Sequence, residues 1–467
     1  MNARLAFTLC AVLLCLAISA RAQEPGDARV WLTTPDRSQL LTLQKAPLHF
    51  SPSANALPAI DVNDGQQYQP IDGFGFALTG GSAQLLMRMG PAQRSALLKE
   101  LFASSGDNIG VSYLRVSIGS SDMNAQVYSY DDLPEGEKDV EMAKFSLGPD
   151  RMDVIPILKE ILAINPHIQI LGSPWSAPAW MKTNHNAKGG TLKPEFYGAY
   201  AEYFVKYIAG MKAEGISIDA VTVQNEPLNP KNTPSMVMFA TQEDTFIAKY
   251  LGPAFQREGI ATKILLYDHN ADVPSYPQSI LADPDACKYV DGIAFHLYGG
   301  DVSMLTKVHD DYPNKNLYLT EQSVTEAPGD PLGIAAAVSW VMIGATRNWS
   351  RNVLLWNLAA DPNNGPHTND GGCTGCRGAI TLDGNQATRN VAYYAVAHFS
   401  KFIPPGSVRI GSNELEQLGA VAFRTLEGKI VLVLSNTANF PTTVSVRYHG
   451  KVFTTTLPEE SVGTYVW

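Results

Sequence analysis

The chain has 467 residues, of which 45% are hydrophobic and 17% charged, and its formal net charge is −10 at pH 7. This length exceeds one ordinary domain and is sufficient for a barrel of ~250 residues together with a smaller module. The composition is that of a globular protein and excludes a disordered or membrane-integral chain. Because the balance of charge is acidic, we expect no nucleic-acid partner.

The first 22 residues differ from the rest of the chain. A short basic start, Asn2-Ala3-Arg4, precedes an apolar stretch over residues 5–18, and Ala20-Arg21-Ala22 has the small-x-small pattern of a cleavage site. We interpret residues 1–22 as a cleavable signal peptide. Because the apolar stretch is short for a spanning helix, the sequence predicts an exported protein, secreted or periplasmic, without a membrane span.

The following segments indicate two kinds of domain. Residues 30–68 contain short alternating strands punctuated by prolines. Residues 69–403 then alternate strand-length and helix-length segments. The eight strand candidates are 73–78, 111–118, 168–175, 218–226, 263–269, 290–298, 317–321 and 352–358. Eight such alternations are typical of a (β/α)8 TIM barrel, and a doubly wound open sheet is the alternative at this count.

Residues 404–467 have no helical pattern. Alternating segments at 419–424, 429–435, 442–448 and 451–457 are separated by Gly, Asn and Pro turns. We predict that they form a β-sandwich whose sheet is completed by strands from residues 30–68. The predicted fold is therefore an α/β chain, a (β/α)8 TIM barrel with a β-sandwich side domain built from both termini.

Two of the predicted barrel strands end in a glutamate, and a barrel carries its functional groups at the C-terminal ends of its strands. Glu226 follows Asn225 at the end of the fourth strand, and Glu321 ends the seventh. Cleavage of a glycosidic bond needs one protonated and one ionised carboxyl group. We assign Glu226 as the acid/base and Glu321 as the nucleophile, although a lone glutamate at a strand end is more often a solvated cap.

The other strand ends carry aromatic rings, amides and an arginine. Aromatic faces stack on the apolar faces of sugar rings, while amides and carboxylates sort hydroxyl groups. Candidate substrate-binding residues are Arg115, Trp175, Asn225, His296, Tyr298 and Trp356. Arg115 is suited to keep Glu321 ionised. Asp268 and His269 fit either a loop cap or the site, and Asp122 is better suited to supporting the backbone.

Three cysteines remain after residue 22. In an oxidising compartment Cys373 and Cys376 fit a tight loop disulfide better than half of a zinc site, because no second Cys or His pair lies at metal-ligand spacing. The chemistry of two carboxylates also needs no metal and no cofactor.

Several of these segments together resemble glycoside hydrolase family 30, the family of lysosomal glucosylceramidase and of microbial β-1,6-glucanases. The resemblance runs from about Gln67 to the C-terminus. It is carried by Gly73-Phe74-Gly75, Asn225-Glu226-Pro227, Leu319-Thr320-Glu321 and, most specifically, by residues 173–184, SPWSAPAWMKTN. The loop at 371–378 is similar to a segment of the β-1,6-glucanase branch.

This resemblance implies a retaining double displacement on a carbohydrate substrate, with β-1,6-glucan or a related β-glucoside preferred. It implies that Asn225 bonds the sugar 2-hydroxyl and that Arg115 orients Glu321. It also implies that the pocket is shaped by Trp175, His296, Tyr298 and Trp356. A glucosylceramidase acting on glycosphingolipid and a non-catalytic carbohydrate-binding barrel are the alternative functions.

One position departs from the family pattern. Members similar to glucosylceramidase carry an aspartate after the threonine of the first strand, where it holds distal glucose hydroxyls, whereas Thr79 is followed here by Gly80. A lost charge-assisted hydrogen bond costs ~1.5–3 kcal/mol. We therefore expect another residue to take this role, or the site to hold a different or substituted sugar.

Overall fold

The computed structural model describes residues 26–52, 55–324 and 333–467. A closed barrel of eight parallel strands lies at its centre, and a nine-stranded sheet and a three-stranded sheet accompany it. The predicted signal peptide, residues 1–22, lies outside the described residues. Among the described helices, none is both long and apolar enough to cross a membrane.

Twenty strands form these sheets. Before the barrel come β1 (Arg29–Thr33), β2 (Thr42–Leu43) and β3 (Ala59–Pro70). The barrel strands are β4 (Gly73–Leu78), β5 (Tyr113–Ile118), β6 (Gln169–Pro174), β7 (Ala220–Thr222), β8 (Lys263–Asn270), β9 (Val290–His296), β10 (Asn316–Glu321) and β11 (Ser350–Leu355). After the barrel come β12 (Ala359–Ala360), β13 (Ile380–Asp383), β14 (Gln386–Arg389), β15 (Val408–Ser412), β16 (Leu418–Arg424), β17 (Ile430–Asn436), β18 (Thr442–Tyr448), β19 (Lys451–Leu457) and β20 (Val462–Val466).

The described helices lie mostly between the barrel strands. They are α1 (Gly80–Arg88), α2 (Pro91–Phe102), α3 (Val154–Ile164), α4 (Tyr197–Ala213), α5 (Ala240–Phe246), α6 (Gly252–Glu258), α7 (Ser275–Leu281), α8 (Pro284–Cys287), α9 (Met304–Asp311), α10 (Ile334–Ala336), α11 (Gly344–Arg347) and α12 (Val391–Ser400). Wider π-helical turns join α5 to α6 and α10 to α11.

The barrel closes in the order β10-β11-β4-β5-β6-β7-β8-β9, which confirms the predicted (β/α)8 fold. Every residue of β4 and of β5 is buried. This burial follows from the architecture, because side chains fill the barrel on one face of each strand and helices cover the other.

The fourth barrel strand is shorter than the predicted segment 218–226, because β7 ends at Thr222. The backbone beyond it is still tied to both neighbouring strands. Asn225 N–H donates to the carbonyl of Pro174 at 2.8 Å, and Glu226 N–H donates to the carbonyl of Asp268 at 2.9 Å. Glu226 has a left-handed backbone (φ 45°), a conformation that ordinary residues adopt mainly where the surroundings enforce it.

Helix α1 and the small sheet β12-β13-β14 were not predicted from the sequence. The first turn of α1 has no acidic residue, and a start at two glycines argues against a helix on propensity. Thr79 nevertheless caps it, because its hydroxyl oxygen accepts a hydrogen bond from Ser82 N–H at 3.1 Å. The threonine at the N-cap position is the feature of the sequence that indicates the start of this helix.

The side sheet contains strands from both ends of the chain, in the order β19-β18-β3-β15-β16-β17-β20-β1-β2. β1 pairs antiparallel with β20, and β3 pairs with both β15 and β18. This confirms the predicted side domain built from both termini. The sequence did not predict β15 or β20, because each is only five residues long and contains a glycine, which is depleted in strands.

His398 joins the barrel to two neighbouring strands of this sheet, β20 and β1. It lies on α12 and is completely buried. Its Nδ1 lies 2.8 Å from Thr464 Oγ1 on β20, and its Nε2 lies 2.8 Å from Thr33 Oγ1 on β1. Burial lowers the pKa of His398 from 6.5 to about 3, so the ring is neutral in the folded protein at pH 7.

We expect this histidine to weaken the fold on acidification. Between pH 6.5 and 3 the unfolded chain binds a proton that folded His398 does not bind, so the free energy of unfolding falls as the pH falls. The slope is ~1.4 kcal/mol per pH unit, or roughly 2–3 kcal/mol between pH 6.5 and 4.5. Urea unfolding of wild type and of His398→Asn over this range measures the difference.

The variant is less stable at pH 7 because it lacks the two threonine contacts, but its free energy of unfolding should decline less steeply with pH. All other titrating groups are common to the two proteins and cancel in the comparison. Parallel pH profiles would show that His398 is not the group responsible.

Candidate active site

Side chains that point into the barrel form two layers of different polarity. An apolar layer is formed by Tyr113, Leu171, Ala220, Leu265, Ala294, Tyr318 and Leu354. Two residues further along their strands, buried polar side chains follow, among them Arg115, Ser173, Thr222, His296 and Thr320. Because alternate side chains of a strand share a face, this spacing places the polar layer above the apolar one, toward the C-terminal ends of the strands.

Arg115 is the centre of the polar layer, and its guanidinium is completely buried. Nη1 donates to Glu321 Oε2 at 2.6 Å, while Nη2 donates to Asn225 Oδ1 and Asp268 Oδ2, each at 2.7 Å. The guanidinium also lies 4.8 Å from the ring centroid of Trp175. A buried charge requires such partners, so Arg115 holds two carboxylates and one amide in fixed positions.

The structure places Asp268 in the site, which decides between the two interpretations left open by the sequence. Its Oδ1 accepts hydrogen bonds from His296 Nε2 at 3.1 Å and from Thr320 Oγ1 at 2.6 Å, and its Oδ2 accepts one from Thr222 Oγ1 at 2.8 Å. Burial acts to raise the pKa of Asp268, but the charge of Arg115 and the hydrogen bond from His296 hold it well below its usual range. Asp268 is therefore ionised.

Glu321 is bound through both of its oxygens. Oε2 accepts from Arg115 at 2.6 Å, and Oε1 accepts from the hydroxyl of Tyr298 at 2.9 Å. Burial raises the pKa of Glu321 above its ordinary value, while the charges of His296 and Arg115 act to lower it. The net shift is upward, so Arg115 offsets the burial of this carboxylate only in part.

Glu226 is held at the rim by an amide and an imidazole. Its Oε2 accepts from Asn229 Nδ2 at 2.7 Å, and its Oε1 lies 3.4 Å from His296 Nδ1. Burial raises the pKa of Glu226, but the hydrogen bond and charge of His296 outweigh burial and lower the pKa to about 2. For His296, burial is outweighed by the charge of Glu321 and by hydrogen bonds, which raise its pKa to about 9. The proton of this pair lies on His296.

The two glutamates meet at His296. Its Nδ1 lies 3.4 Å from Glu226 Oε1 and 4.0 Å from Glu321 Oε1. The carboxyl groups come from strand ends 95 positions apart in the sequence, and the structure brings them to one imidazole edge. This is the arrangement in which one carboxyl group can exchange a proton while the other approaches the same reacting atom.

A cavity of about 1120 Å³ opens above these groups. Among the predicted site residues, it is lined by Glu226, Glu321, Trp175, Tyr298 and Trp356. Arg115 and His296 are buried and contact the lining carboxylates, and the buried Asn225 accepts a hydrogen bond from Arg115. Such a cavity exceeds the ~300–1,000 Å³ of most ligand pockets.

Aromatic rings and a disulfide form one wall of the cavity. The rings of Trp175 and Trp356 stack with centroids 5.6 Å apart. The predicted bond between Cys373 and Cys376 is present, with an S–S distance of 1.96 Å, and Cys376 packs with the two tryptophans. Trp180 instead packs in the core against Phe196 at 5.0 Å, so only the first of the two neighbouring tryptophans reaches the cavity.

Gly80 has no room for the family aspartate. A Cβ atom there would lie 1.9 Å from Asn124 Nδ2. Asp122 instead lines the cavity, although the sequence favoured a role in backbone support. Burial and the charges of Glu321 and Glu226 raise the pKa of Asp122 to about 7. Its carboxyl group also accepts a hydrogen bond from the backbone N–H of Cys373, so the disulfide loop helps to position it.

Other lining residues carried no recognisable sequence signal. They include Asn229, Lys231, Asn232 and Trp340. The first three follow Glu226 in a loop, and Trp340 is 38% exposed on the π-helical turn between α10 and α11. Their segments have the composition of ordinary loops and helices, and only the closure of the barrel brings them to the cavity.

Comparison with known proteins accords with this geometry. The chain matches the model of the glycosyl hydrolase family 30 TIM-barrel domain over residues 71–403 and that of the family's beta sandwich domain over residues 406–465. It is 36% identical over 412 residues to an endo-1,6-beta-D-glucanase of Neurospora crassa, with 85% of this chain and 84% of that protein covered.

A lysosomal acid glucosylceramidase of Mus musculus is 30% identical over 432 residues, with 86% of this chain and 82% of that protein covered. Among solved structures, one described as an endo-beta1,6-glucanase is 36% identical and superposes with a TM-score of 0.87. That alignment covers 95% of this chain and 99% of the other.

Proposed function

Since this chain belongs to glycosyl hydrolase family 30 and is a glycoside hydrolase, we propose that it is an exported retaining β-glycosidase that cleaves β-1,6-glucan or a related β-glucoside. The observation that carries the proposal is the meeting of Glu226 and Glu321 at His296 Nδ1, 3.4 and 4.0 Å away. Retention requires carboxyl groups ~5–5.5 Å apart, and convergence on one nitrogen supports that spacing.

In the first step Glu321 attacks the anomeric carbon of the bound sugar. A bond forms between this carbon and a carboxylate oxygen, the glycosidic C–O bond breaks, and its electron pair leaves on the departing oxygen. A proton that rests on His296 Nδ1 passes to Glu226 Oε1, 3.4 Å away, and Glu226 delivers it to that oxygen, so the leaving sugar departs as a neutral alcohol. Hydrogen bonds from Arg115 and Tyr298 hold the attacking carboxylate.

In the second step water replaces the departed sugar. Glu226, now ionised, takes a proton from this water as the water oxygen attacks the anomeric carbon, and Glu321 leaves as a carboxylate. Two inversions at the same carbon give net retention. His296 contacts both carboxyl groups and keeps them aligned through the two steps.

The cavity wall supplies recognition of the sugar. The stacked rings of Trp175 and Trp356 offer an apolar platform. Asp122 takes the role of the aspartate that Gly80 excludes, because its buried carboxyl group lines the same cavity and can bond a sugar hydroxyl as donor or acceptor near pH 7. Asn225, held by Arg115 at 2.7 Å, serves the 2-hydroxyl.

The preference for glucan rests on two observations. Identity is higher to the endo-1,6-beta-D-glucanase of Neurospora crassa than to the mouse glucosylceramidase, 36% against 30%. The cavity volume of about 1120 Å³ also suits more than one sugar ring. Export rests on the pattern of residues 1–22, and the final compartment is secreted or periplasmic.

A substrate panel tests this function. We expect β-1,6-glucan to be cleaved with the highest kcat/KM among β-1,6-glucan, β-1,3-glucan, xylan, an aryl β-glucoside and glucosylceramide. Product sizes on a chromatogram separate internal from terminal cleavage, and proton NMR of the first product identifies its anomer. Preferred turnover of glucosylceramide would replace the proposed substrate, and a product with inverted anomer would exclude the double displacement.

A further inference from the structure

Three potential metal ligands converge beside the proposed acid/base. Glu226, His269 and His296 each present one ligand atom, and these three atoms lie within 4.8 Å of one another. Glu226 Oε1 is 3.4 Å from His296 Nδ1 and 4.0 Å from His269 Nδ1. Zinc binds imidazole nitrogen and carboxylate oxygen at ~2.0–2.2 Å, so two ligands of one ion lie at most ~4.4 Å apart. Both glutamate–histidine pairs meet this limit, and the two histidine nitrogens, which lie within 4.8 Å of each other, need to approach by at most ~0.4 Å to meet it.

Neighbouring groups orient two of these ligands toward the common space. His296 Nε2 donates to Asp268 Oδ1 at 3.1 Å, which directs Nδ1 at Glu226. A carboxylate behind a histidine in this way is typical of metal sites, where it fixes the orientation of the ring and increases its basicity. Asn229 Nδ2 donates a hydrogen bond to Oε2 of Glu226 at 2.7 Å. The other carboxylate oxygen, Oε1, is therefore the one that faces the histidines.

His269 provides an independent observation. The residue is 9% exposed, and its Nδ1 has no hydrogen-bond partner within the described part of the chain. Buried polar atoms of native proteins are nearly always paired, and an exception calls for a ligand or another explanation. The proposed hydrolysis uses Glu226 and His296 and leaves His269 Nδ1 unexplained.

The local charge favours a cation. Glu226, Glu321 and Asp268 are buried carboxylates around the space, and Arg115 is the guanidinium that contacts two of them. Three acidic side chains thus surround the space beside the guanidinium of Arg115. A doubly charged ion bound by the three ligands lies close to all three acidic groups, and attraction between close opposite charges is strong where water is excluded.

We propose that Glu226, His269 and His296 bind one divalent transition-metal ion of the zinc type, and that this ion inhibits the enzyme by occupying Glu226 Oε1. Two nitrogens and one oxygen select zinc, copper, nickel or cobalt over magnesium and calcium, which prefer oxygen ligands. Binding of the ion stands on this geometry alone. Inhibition rests additionally on the proposed function, in which Glu226 exchanges the proton of the leaving oxygen.

The test measures binding directly on the full-length protein without a polyhistidine tag. Calorimetric titration with Zn²⁺ should give one ion per chain, Co²⁺ should give the visible absorption bands of a site with nitrogen ligands, and Mg²⁺ should give neither signal. His269→Gln should weaken Zn²⁺ binding by about 100-fold or more, since loss of an outer-shell partner alone weakens metal binding 10–100-fold. His167→Gln, at an exposed histidine, is the matched control and should bind like wild type.

Circular dichroism establishes that His269→Gln is folded, and Glu226→Gln provides a second ligand variant that should also lose affinity. Absence of Zn²⁺ binding by the wild type, or equal affinity in wild type and His269→Gln, would overturn the site. In activity assays Zn²⁺ should compete with substrate, and inhibition that substrate cannot relieve would overturn its position at Glu226. Because the titrations do not require turnover, they decide the metal site even if the substrate panel fails.

Discussion

Replacement of Glu321 by glycine is expected to lower kcat on a β-1,6-linked oligosaccharide by at least ~10⁴-fold, because the covalent route then has no nucleophile. The variant leaves a small space beside Arg115 and Tyr298, the two donors that hold the native carboxylate. Azide can enter this space and attack the anomeric carbon from the same face as Glu321. The expected product is the α-glycosyl azide, inverted with respect to the β-substrate, identified by NMR.

This result separates the nucleophile from a merely structural glutamate. Loss of a structural group would lower activity without restoration by azide. A folded Glu321→Gly protein that retains more than one tenth of wild-type kcat would contradict the assignment. Binding of a β-1,6-oligosaccharide by the variant, followed by tryptophan fluorescence, shows that Trp175 and Trp356 still form the platform.

Replacement of Glu226 by alanine is expected to act according to the leaving group. Hydrolysis of unactivated oligosaccharides should slow by ~10²–10⁴-fold, because their leaving oxygen needs a proton. An aryl β-glucoside with an acidic phenol should form the glycosyl-enzyme with a far smaller loss, since its leaving group departs as an anion. Single-turnover kinetics on both substrates measure the ratio.

Azide provides the matched comparison between the two glutamates. In Glu226→Ala it attacks the glycosyl-enzyme from the face opposite Glu321, so the product is the β-glycosyl azide, retained with respect to the substrate. Equal losses on the oligosaccharide and the aryl substrate, or formation of the α-azide, would contradict the acid/base role of Glu226.

Much of the barrel could be predicted from the sequence because each strand is a local pattern. The strand-length apolar segments bounded by turn residues at 73–78 and 263–269 correspond closely to β4 and β8. Prediction was weakest where contacts between distant segments determine the structure. After Thr222 the chain continues in the direction of β7 but no longer forms a regular strand. Single hydrogen bonds from its N–H groups to carbonyls of the neighbouring strands hold it in place.

The two glutamates could be located because strand ends of a barrel share one rim. Asp268 also lies near the end of a strand, β8, but its neighbours in the sequence are equally suited to capping a loop. The hydrogen bond from Arg115 at 2.7 Å, which only the structure shows, distinguishes a site residue from a loop cap. Gly80 indicated that a carboxylate of related enzymes is missing here, without indicating which residue replaces it. Asp122 follows the second barrel strand in the sequence, but backbone support was the favoured role for it. Its place in the cavity lining depends on the path of a loop, which the sequence does not give.

The pairing of β1 with β20 constrains the order in which the molecule assembles. Thr33 and Val462 are partners in this ladder. The backbone groups on this edge of β1 therefore remain unpaired until β20 has formed beside it. Contacts of such sequence separation form late, and an unpaired edge is prone to pairing with other chains. A chain that lacks β20 would therefore expose the edges of β1 and β17, where other chains could pair, so β20 protects the molecule against aggregation.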